Sequence, residues 1–263
     1  MKTALITGAS SGIGLELAKL FAKDGWHLVL VAREKKDLQK SANSLEKEFG
    51  ARNTIVISKD LGKPNSAKEI YALLQKRKIA VDALVNNAGF ATYGEFAKVP
   101  LEKQLAMLQV NINSLVALTG FFLPQMLGRK NGRVLNLAST AAFQPGPLMA
   151  AYYASKSFVL SFSEALAEEL DSSKSGVTVT ALCPGPTWTG FQKRAGMLNS
   201  KVLGGNVMDA REVAQYGYNA FLRGERVAIP GLKNKLGSKL VKIIPAKLLT
   251  KIIRKIQEER KGN

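Results

Sequence analysis

Tyr152 and Lys156 lie four residues apart in Ala151-Tyr152-Tyr153-Ala154-Ser155-Lys156. On a helix that spacing puts both side chains on one face. A free phenol titrates near pH ~10 and is a poor base at neutral pH. An ammonium beside it favours the phenolate, which lowers the phenol's pKa and suits it to general acid/base work. Tyr153 has no lysine at plus four and points about 100 degrees further round the helix, so it reads as a packing residue.

A second cluster opens the chain. Thr7-Gly8-Ala9-Ser10-Ser11-Gly12-Ile13-Gly14 follows a short apolar run and leads into a helical pattern. Glycines at Gly8 and Gly12 let backbone approach a pyrophosphate, and the amides of Ser10, Ser11 and Ile13 lie where a helix N-terminus offers free donors. Gly14 permits tight helix–strand contact. A nucleotide cofactor is therefore expected, and a bare sharp turn is the plainer alternative. The second apolar run ends Ala32-Arg33, with Lys35 and Lys36 beyond. A carboxylate there would accept from a ribose 2′-hydroxyl, whereas a guanidinium grips a 2′-phosphate, so the expected cofactor is NADP(H). After the third run, Asp60 and Leu61 suit the adenine, although Asp60 would serve equally as a helix N-cap.

These groups need a frame. Apolar runs at Ala4–Thr7, His27–Ala32, Thr54–Ile57, Ala83–Val85, Arg133–Leu137, Val177–Leu182 and Arg226–Ile229 read as strands. Between them lie helical patterns near Gly14–Lys23, Lys35–Glu48, Pro64–Lys76, Leu101–Leu127, Ala151–Leu170 and Asp209–Leu222. Strands without clean alternation suit a parallel sheet covered on both faces. The expected fold is α/β, a doubly wound Rossmann-type parallel sheet of about seven strands flanked by helices. Residues 1–230 form its catalytic domain, residues 186–208 a long substrate loop, and residues 231–263 an extension of separate composition. In such sheets ligands sit at the carboxyl ends of the strands. The polar residues after each run are thus the ones that can do chemistry.

Taken together, these motifs resemble the classical short-chain dehydrogenase/reductase family over residues 3 to about 230. Its Thr-Gly-x-x-x-Gly-x-Gly is met by Thr7, Gly8, Gly12 and Gly14, and its Asn-Asn-Ala-Gly by Asn86-Asn87-Ala88-Gly89. Its active-site Asn, Ser and Tyr-x-x-x-Lys match Asn111, Ser139, Tyr152 and Lys156, and its Pro-Gly after the sixth strand is Pro184-Gly185. The resemblance implies hydride transfer between nicotinamide and a carbonyl or alcohol, with Tyr152 protonating the oxygen and Ser139 holding it. It gives Asn111 a water in a proton relay and Lys156 a second role on the nicotinamide ribose. Asn87, Ala88 and Gly89 would shape the wall beside the cofactor. Pro184, Gly185 and either Thr187 or Thr189 would meet the carboxamide, the family's usual spacing selecting Thr189. A non-catalytic NADP(H)-binding regulator is the alternative, disfavoured by the intact Ser139, Tyr152 and Lys156. Nucleotide-sugar epimerase or dehydratase chemistry usually needs a larger substrate domain.

Composition narrows the rest. At 46% apolar the chain is no disordered polymer. One cysteine, Cys183, excludes a disulfide framework, and one histidine, His27, makes a metal cluster unexpected. No cleaved leader is read at the N-terminus, and the uncharged stretch from Gln104 to Gly128 suits a core helix better than a membrane span. A cytoplasmic location is expected, with peripheral membrane association left open. Phe143, Pro145, Leu148, Met149, Trp188, Phe191, Met197, Leu198, Val202 and Leu203, with Phe90–Tyr93, are the candidate pocket walls. They favour a hydrophobic, lipid-like carbonyl or alcohol. Lys193 and Arg194 are candidates for an acidic group or a solvated lid. A homo-oligomer, dimer or tetramer, is expected.

The formal net charge is +18, and +8 of it falls on residues 233–263. Leu236, Leu240, Val241, Ile244, Leu248, Leu249, Ile252, Ile253 and Ile256 recur there at helical spacing, with lysines on much of the other face. Pro245 marks the start of a second helix. The stripe suits three roles: covering the substrate cleft or a partner subunit, lying on an anionic membrane, or tethering nucleic acid. The absence of aromatics removes a stacking platform for bases, so no nucleic-acid partner is expected.

Overall fold

The structure, a computed structural model, describes residues 2–51, 54–205 and 207–259. Its framework is a parallel sheet of seven strands among the described residues. They are β1 (Thr3–Thr7), β2 (His27–Ala32), β3 (Ile55–Ser58), β4 (Ala83–Asn86), β5 (Gly132–Leu137), β6 (Val177–Leu182) and an edge strand, Val227–Ala228. The spatial order is β3-β2-β1-β4-β5-β6 and then the edge strand. The chain moves outward from β1 to β3, then crosses back to pair β4 against the free side of β1. That reversal leaves a crevice at the carboxyl ends of β1 and β4, where a doubly wound sheet binds ligand.

Helices cover both faces, as buried strands require. On one side lie α1 (Gly12–Lys23), α2 (Lys35–Phe49) and a helix over Ala210–Arg223, packing Leu17, Phe21, Leu38 and Phe221 into one core. On the other lie α3 (Ser66–Lys76), the long Leu101–Gly128 helix and Ala150–Ser172, which bury Ile70, Leu74, Phe122 and Leu170. The inward residues of α1 follow the i, i+4 rule through Ile13, Leu17 and Phe21. α2 stops at Gly50, which takes the left-handed conformation (φ +64°) that caps helices and that glycine adopts without strain.

Three local features depart from the expectation. The Leu101–Leu127 helix is interrupted: α4 (Leu101–Leu108) meets a π-helical turn at Gln109–Asn113 before α5 (Ser114–Gly128). The Ser114 amide bonds the Gln109 carbonyl five residues back. α3 begins at Ser66, not Pro64, so Asp60 stands six residues upstream and is not its N-cap. After α6 (Ala150–Ser172) and β6, the substrate loop folds on itself through a parallel pair, β7 (Thr187–Trp188) with β8 (Met208–Asp209), enclosing α7 (Phe191–Ala195). Two-residue strands carry too little periodicity to be read in sequence. Beyond α8 (Ala210–Arg223) and β9 (Val227–Ala228), the extension forms α9 (Leu232–Leu240) and α10 (Ala246–Gln257), with Pro245 at the N-cap of α10. Residue 206 of the loop and residues 260–263 of the tail lie outside the described residues.

Leu101–Gly128 is, among the described residues, the one helical stretch long and apolar enough to cross a bilayer. Here it packs on α3 and α6, with Leu115, Leu118, Phe122 and Met126 turned into the core.

Candidate active site

The carboxyl ends of the central strands open into a cavity of about 840 Å³. Every residue proposed for the site borders it except Gly14 and Asn111, which sit directly behind its wall.

The glycine turn forms one end. Gly8 (φ +65°) and Gly12 (φ +56°) take left-handed conformations that carry the chain from β1 into α1. A Cβ on Gly14 would stand 2.3 Å from Asn87 Nδ2 and 2.4 Å from the Gly8 carbonyl, so only glycine lets α1 approach β4 this closely. Asn87 holds the turn in return, its Nδ2 donating to the Thr7 carbonyl at 2.8 Å. Thr7 Oγ1 accepts from the amides of Asn87 (3.0 Å) and Ala88 (2.9 Å), stapling the ends of β1 and β4 together. Ser11, the N-cap of α1, makes no side-chain cap bond, so the first-turn amides remain available to an anion. Thr189 lies across this turn: a Cβ on Gly12 would meet its Cγ2 at 3.0 Å. This cradle fits a pyrophosphate.

Arg33 lines the same cavity, as does Arg194 of α7. Burial, and then the Arg33 charge, lower the pKa of Arg194, so the two guanidiniums share one region of field. Two like charges facing one space fit a doubly charged phosphate between them. Lys35 and Lys36 do not border the cavity; its cations, besides Lys156, are Arg33, Lys59, Lys63 and Arg194. Asp60 Oδ1 accepts from the Gly62 amide at 2.9 Å and shapes the turn carrying Leu61, whose carbonyl is pinned by Ser114 Oγ at 2.6 Å.

At the centre, Ser139 and the Tyr152 phenol border the same cavity, and Ser139 Oγ donates to the Pro184 carbonyl at 3.4 Å. Ser139 Oγ also accepts from the Ala141 amide at 3.1 Å, which fixes its rotamer. Lys156 Nζ donates to the Leu137 carbonyl at 2.6 Å and stands 5.9 Å from the Tyr152 ring centroid. Asn111 occupies the π-helical turn. Its Nδ2 donates to the Phe90 carbonyl (3.0 Å) and to Ser155 Oγ (3.1 Å), and its Oδ1 accepts from the Phe90 amide (3.2 Å). Ser155 Oγ donates in turn to the Tyr152 carbonyl at 2.6 Å. A Cβ on Gly89 would reach Asn111 Oδ1 at 3.0 Å and Lys156 Nζ at 3.7 Å, so Gly89 keeps these two polar groups adjacent.

The electrostatics of the pair differ from the expected pattern. Burial pushes the Tyr152 phenol well above its ordinary value, against a smaller lowering from Ser139. The lysine does not depress it. Burial instead pulls Lys156 down to about 8, because the cavity floor penalises the ammonium more than nearby groups support it. Charge proximity can be read from residue spacing, whereas desolvation depends on every surrounding atom. Cys183, fully buried at the end of β6, has its thiol pushed up to about 12 and behaves as a small hydrophobe.

The far wall is apolar: Phe90, Met149, Phe191, Met197, Val202 and Leu203 border it as expected. Phe143 packs behind the wall with Val159 and Leu160, while Trp188 and Leu198 are exposed, and Pro145 and Leu148 do not border the cavity. Thr187 borders the cavity, but its Oγ1 is spent on the Gly185 carbonyl at 2.9 Å.

The C-terminal extension completes the enclosure. Ile253, Ile256 and Gln257 of α10 line the cavity, and Leu249 and Ile253 pack with Tyr152, Tyr153 and Met197. Lys201 donates its amide to the Glu258 carbonyl at 2.9 Å, and Ser200 pairs with Glu259, so the tail is tied to the substrate loop. Of the three roles open to the stripe, covering the cleft is thus met by one face of α10. Sequence periodicity marked Ile253 and Ile256 as apolar helix positions, but Gln257 carried no signal in the chain.

The family model described as short chain dehydrogenase matches residues 2–197. The chain is 36% identical over 190 residues to an oxidoreductase of Bacillus subtilis, YvrD, covering 72% of this chain and 69% of that protein. It is 37% identical over 186 residues to a very-long-chain 3-oxoacyl-CoA reductase of Anas platyrhynchos, covering 69% of this chain and 58% of that longer protein. Among solved structures, a short-chain dehydrogenase from Sphingobium yanoikuyae in complex with NADPH superimposes with a TM-score of 0.81 at 33% identity. The alignment covers 93% of this chain and 97% of that one.

Proposed function

The chain belongs to the short-chain dehydrogenase family, and from that premise we propose that it is an NADP(H)-dependent oxidoreductase acting on a hydrophobic carbonyl or alcohol, with Tyr152 as general acid/base. One observation carries this reading: Ser139, Tyr152 and Lys156 converge at the middle of a single cavity, between a phosphate-fitting glycine turn and an apolar wall. The non-catalytic alternative leaves that convergence without a purpose.

The cofactor, when bound, supplies or accepts the hydride. Gly8, Gly12 and the first amides of α1 would hold its pyrophosphate, Arg33 its 2′-phosphate, and Leu61 its adenine. Thr189, beside Gly12, is placed for the cofactor side of the loop, consistent with its choice over Thr187. Ser139 donates to the substrate oxygen and aligns it with the phenol, while Tyr152 gives a proton to that oxygen during reduction or takes one during oxidation. Lys156, held by the Leu137 carbonyl, keeps a donor beside the phenol. Asn111 steadies Phe90 and the backbone of Tyr152, and so positions the floor of the site. The apolar wall supports a lipid-like substrate, in keeping with the long-chain acyl relative. Replacing Tyr152 with Phe tests the mechanism: turnover should fall by at least ~100-fold while NADPH binding is kept. Unchanged turnover would sink it.

The outward side of the extension supports peripheral membrane contact as a further part of the proposal. Leu232 (74% exposed), Leu240 (54%) and Ile243 (78%) face outward among the lysines of α9 and α10. An apolar stripe edged by cations suits the interface of an anionic bilayer. A homo-oligomer is proposed from a second exposed face, where Leu105, Val116 and the stacked Phe158–Phe162 pair lie on α4, α5 and α6.

A further inference from the structure

Gln257, the last residue of α10, is only 3% exposed and borders the cavity. Its backbone carbonyl is held twice, accepting from Tyr93 Oη at 2.6 Å and Ser200 Oγ at 3.1 Å, so its position is set by two separate segments. Its side-chain amide donates through Nε2 to the Tyr153 hydroxyl. Its Oε1 is buried without a hydrogen-bond partner. A buried acceptor left unmet carries its desolvation penalty uncompensated.

Tyr153 read in sequence as a packing residue, and its ring does press on the Gly146 backbone. Its hydroxyl, however, serves here as an acceptor, which leaves its own proton to be given elsewhere. The two side chains thus present an acceptor and a donor side by side. Turning the Gln257 amide over exchanges these duties but still leaves one end unmet, on a residue that borders the cavity. This polar pair stands one ring away from the proton-transfer group: the Tyr152 and Tyr153 rings lie edge to face with centroids 6.1 Å apart. The neighbouring walls, Ile253, Met197 and Val202, are apolar.

We infer that Gln257 and Tyr153 form a polar subsite that recognises a hydroxyl group on the substrate, separate from the carbonyl that reacts. A hydroxyl both donates and accepts, so it satisfies either orientation of the amide. The substrate class is then an otherwise apolar ketone carrying a second oxygen function along its chain. A site built to hydrogen-bond a hydroxyl rejects the analogue lacking it more sharply than an apolar pocket rejects an added one. The inference deepens the oxidoreductase reading and rests on it for the identity of the reacting group. It also gives the extension a part in selectivity, since the recognising amide is the C-terminal residue of α10.

The test is binding to the NADP⁺-loaded full chain, measured by calorimetry. The probes are 2-alkanones of increasing length, each with and without a terminal hydroxyl. At one chain length the hydroxyl should tighten binding by about tenfold in the wild type. Q257M should abolish that gain, whereas Q257E, which keeps an oxygen at the same reach, should retain it. With NADPH, the same variants should shift KM for the hydroxylated ketone more than kcat. If Q257M unseats α10, weakening both probe series alike, then Tyr153→Phe decides, because it removes one partner of the subsite and must also lower the gain. A hydroxyl that makes no difference at any length, or a gain that survives Q257M, overturns the inference. Binding with the expected preference but no reduction of any ketone would instead count against the oxidoreductase reading.

Discussion

Lys156 stands 5.9 Å from the centroid of the Tyr152 ring, yet its ammonium is anchored on the Leu137 carbonyl at 2.6 Å. Both side chains are buried, Lys156 at 5% exposure and Tyr152 at 9%. Burial therefore governs both titrations, raising the phenol and lowering the ammonium to about 8. In the cofactor-free chain the pair favours two neutral groups at high pH, not a phenolate beside an ammonium.

That relationship predicts how stability follows pH. The unfolded chain keeps the Lys156 proton up to about pH 10, while the folded chain releases it above about 8. Unfolding therefore takes up a proton across that window, and stability rises with pH through it, by an amount on the order of 3 kcal/mol. Below about pH 8 the full penalty is present and constant. Lys156→Met should remove this slope. Urea midpoints of both proteins, measured from pH 7.5 to 10 in ~half-unit steps, check it; parallel curves would contradict the assignment.

Arg33→Ala should weaken NADPH binding by about 10- to 100-fold, because a charge-assisted bond to phosphate is worth about 1.5–3 kcal/mol. NADH, which has no 2′-phosphate, should bind as before. Fluorescence titration of both nucleotides gives the ratio. An unchanged preference would remove Arg33 from cofactor selection and leave Arg194, which lines the same cavity, as the next residue to replace.

Gly14→Ala tests the close approach of α1 to β4. The added methyl would stand 2.3 Å from Asn87 Nδ2 and 2.4 Å from the Gly8 carbonyl. Overpacking of this kind costs about 1–3 kcal/mol, which should lower Tm by roughly 2–10 °C. It should also weaken NADPH binding by disturbing the turn. Gly120, on α5, meets nothing within 4 Å, so Gly120→Ala should leave Tm unchanged or raise it slightly. Equal effects from the two substitutions would refute the packing argument.

Vesicle sedimentation tests the outward face of the tail. The full chain should bind phosphatidylcholine vesicles containing phosphatidylglycerol, and bind neutral vesicles far less. Each lysine near such a surface contributes about 1 kcal/mol, screened by salt. Leu240 and Ile243 are exposed, so Leu240→Glu with Ile243→Glu should abolish binding without changing Tm. Equal binding by this double variant would exclude α9 and the turn after it as the anchor.

Much of the site was legible because its determinants are local. The glycine turn is contiguous, and Tyr152 and Lys156 share a helix face through spacing alone. Seven strand-forming runs implied the sheet whose carboxyl ends gather Ser139, Asn87 and Pro184. The π-helical turn holding Asn111 was not legible, since the sequence around it continues an ordinary helical pattern. The pair β7 and β8 was missed for a similar reason, each strand being only two residues long.

The sequence by itself determined a doubly wound sheet, a nucleotide turn and a tyrosine–lysine pair, because near-neighbour spacing and burial pattern suffice for each. Only the tertiary structure decided what those groups experience and what encloses them. Desolvation, which depends on every surrounding atom, raises the Tyr152 phenol where proximity to Lys156 was expected to lower it. The apolar stripe of the tail was plain in sequence, but a stripe does not name its partner. Docking turned Leu249, Ile253 and Gln257 onto the cavity side and left Leu248 and Ile252 outside, because only contacts between segments distant in the chain choose which side of a helix becomes a wall.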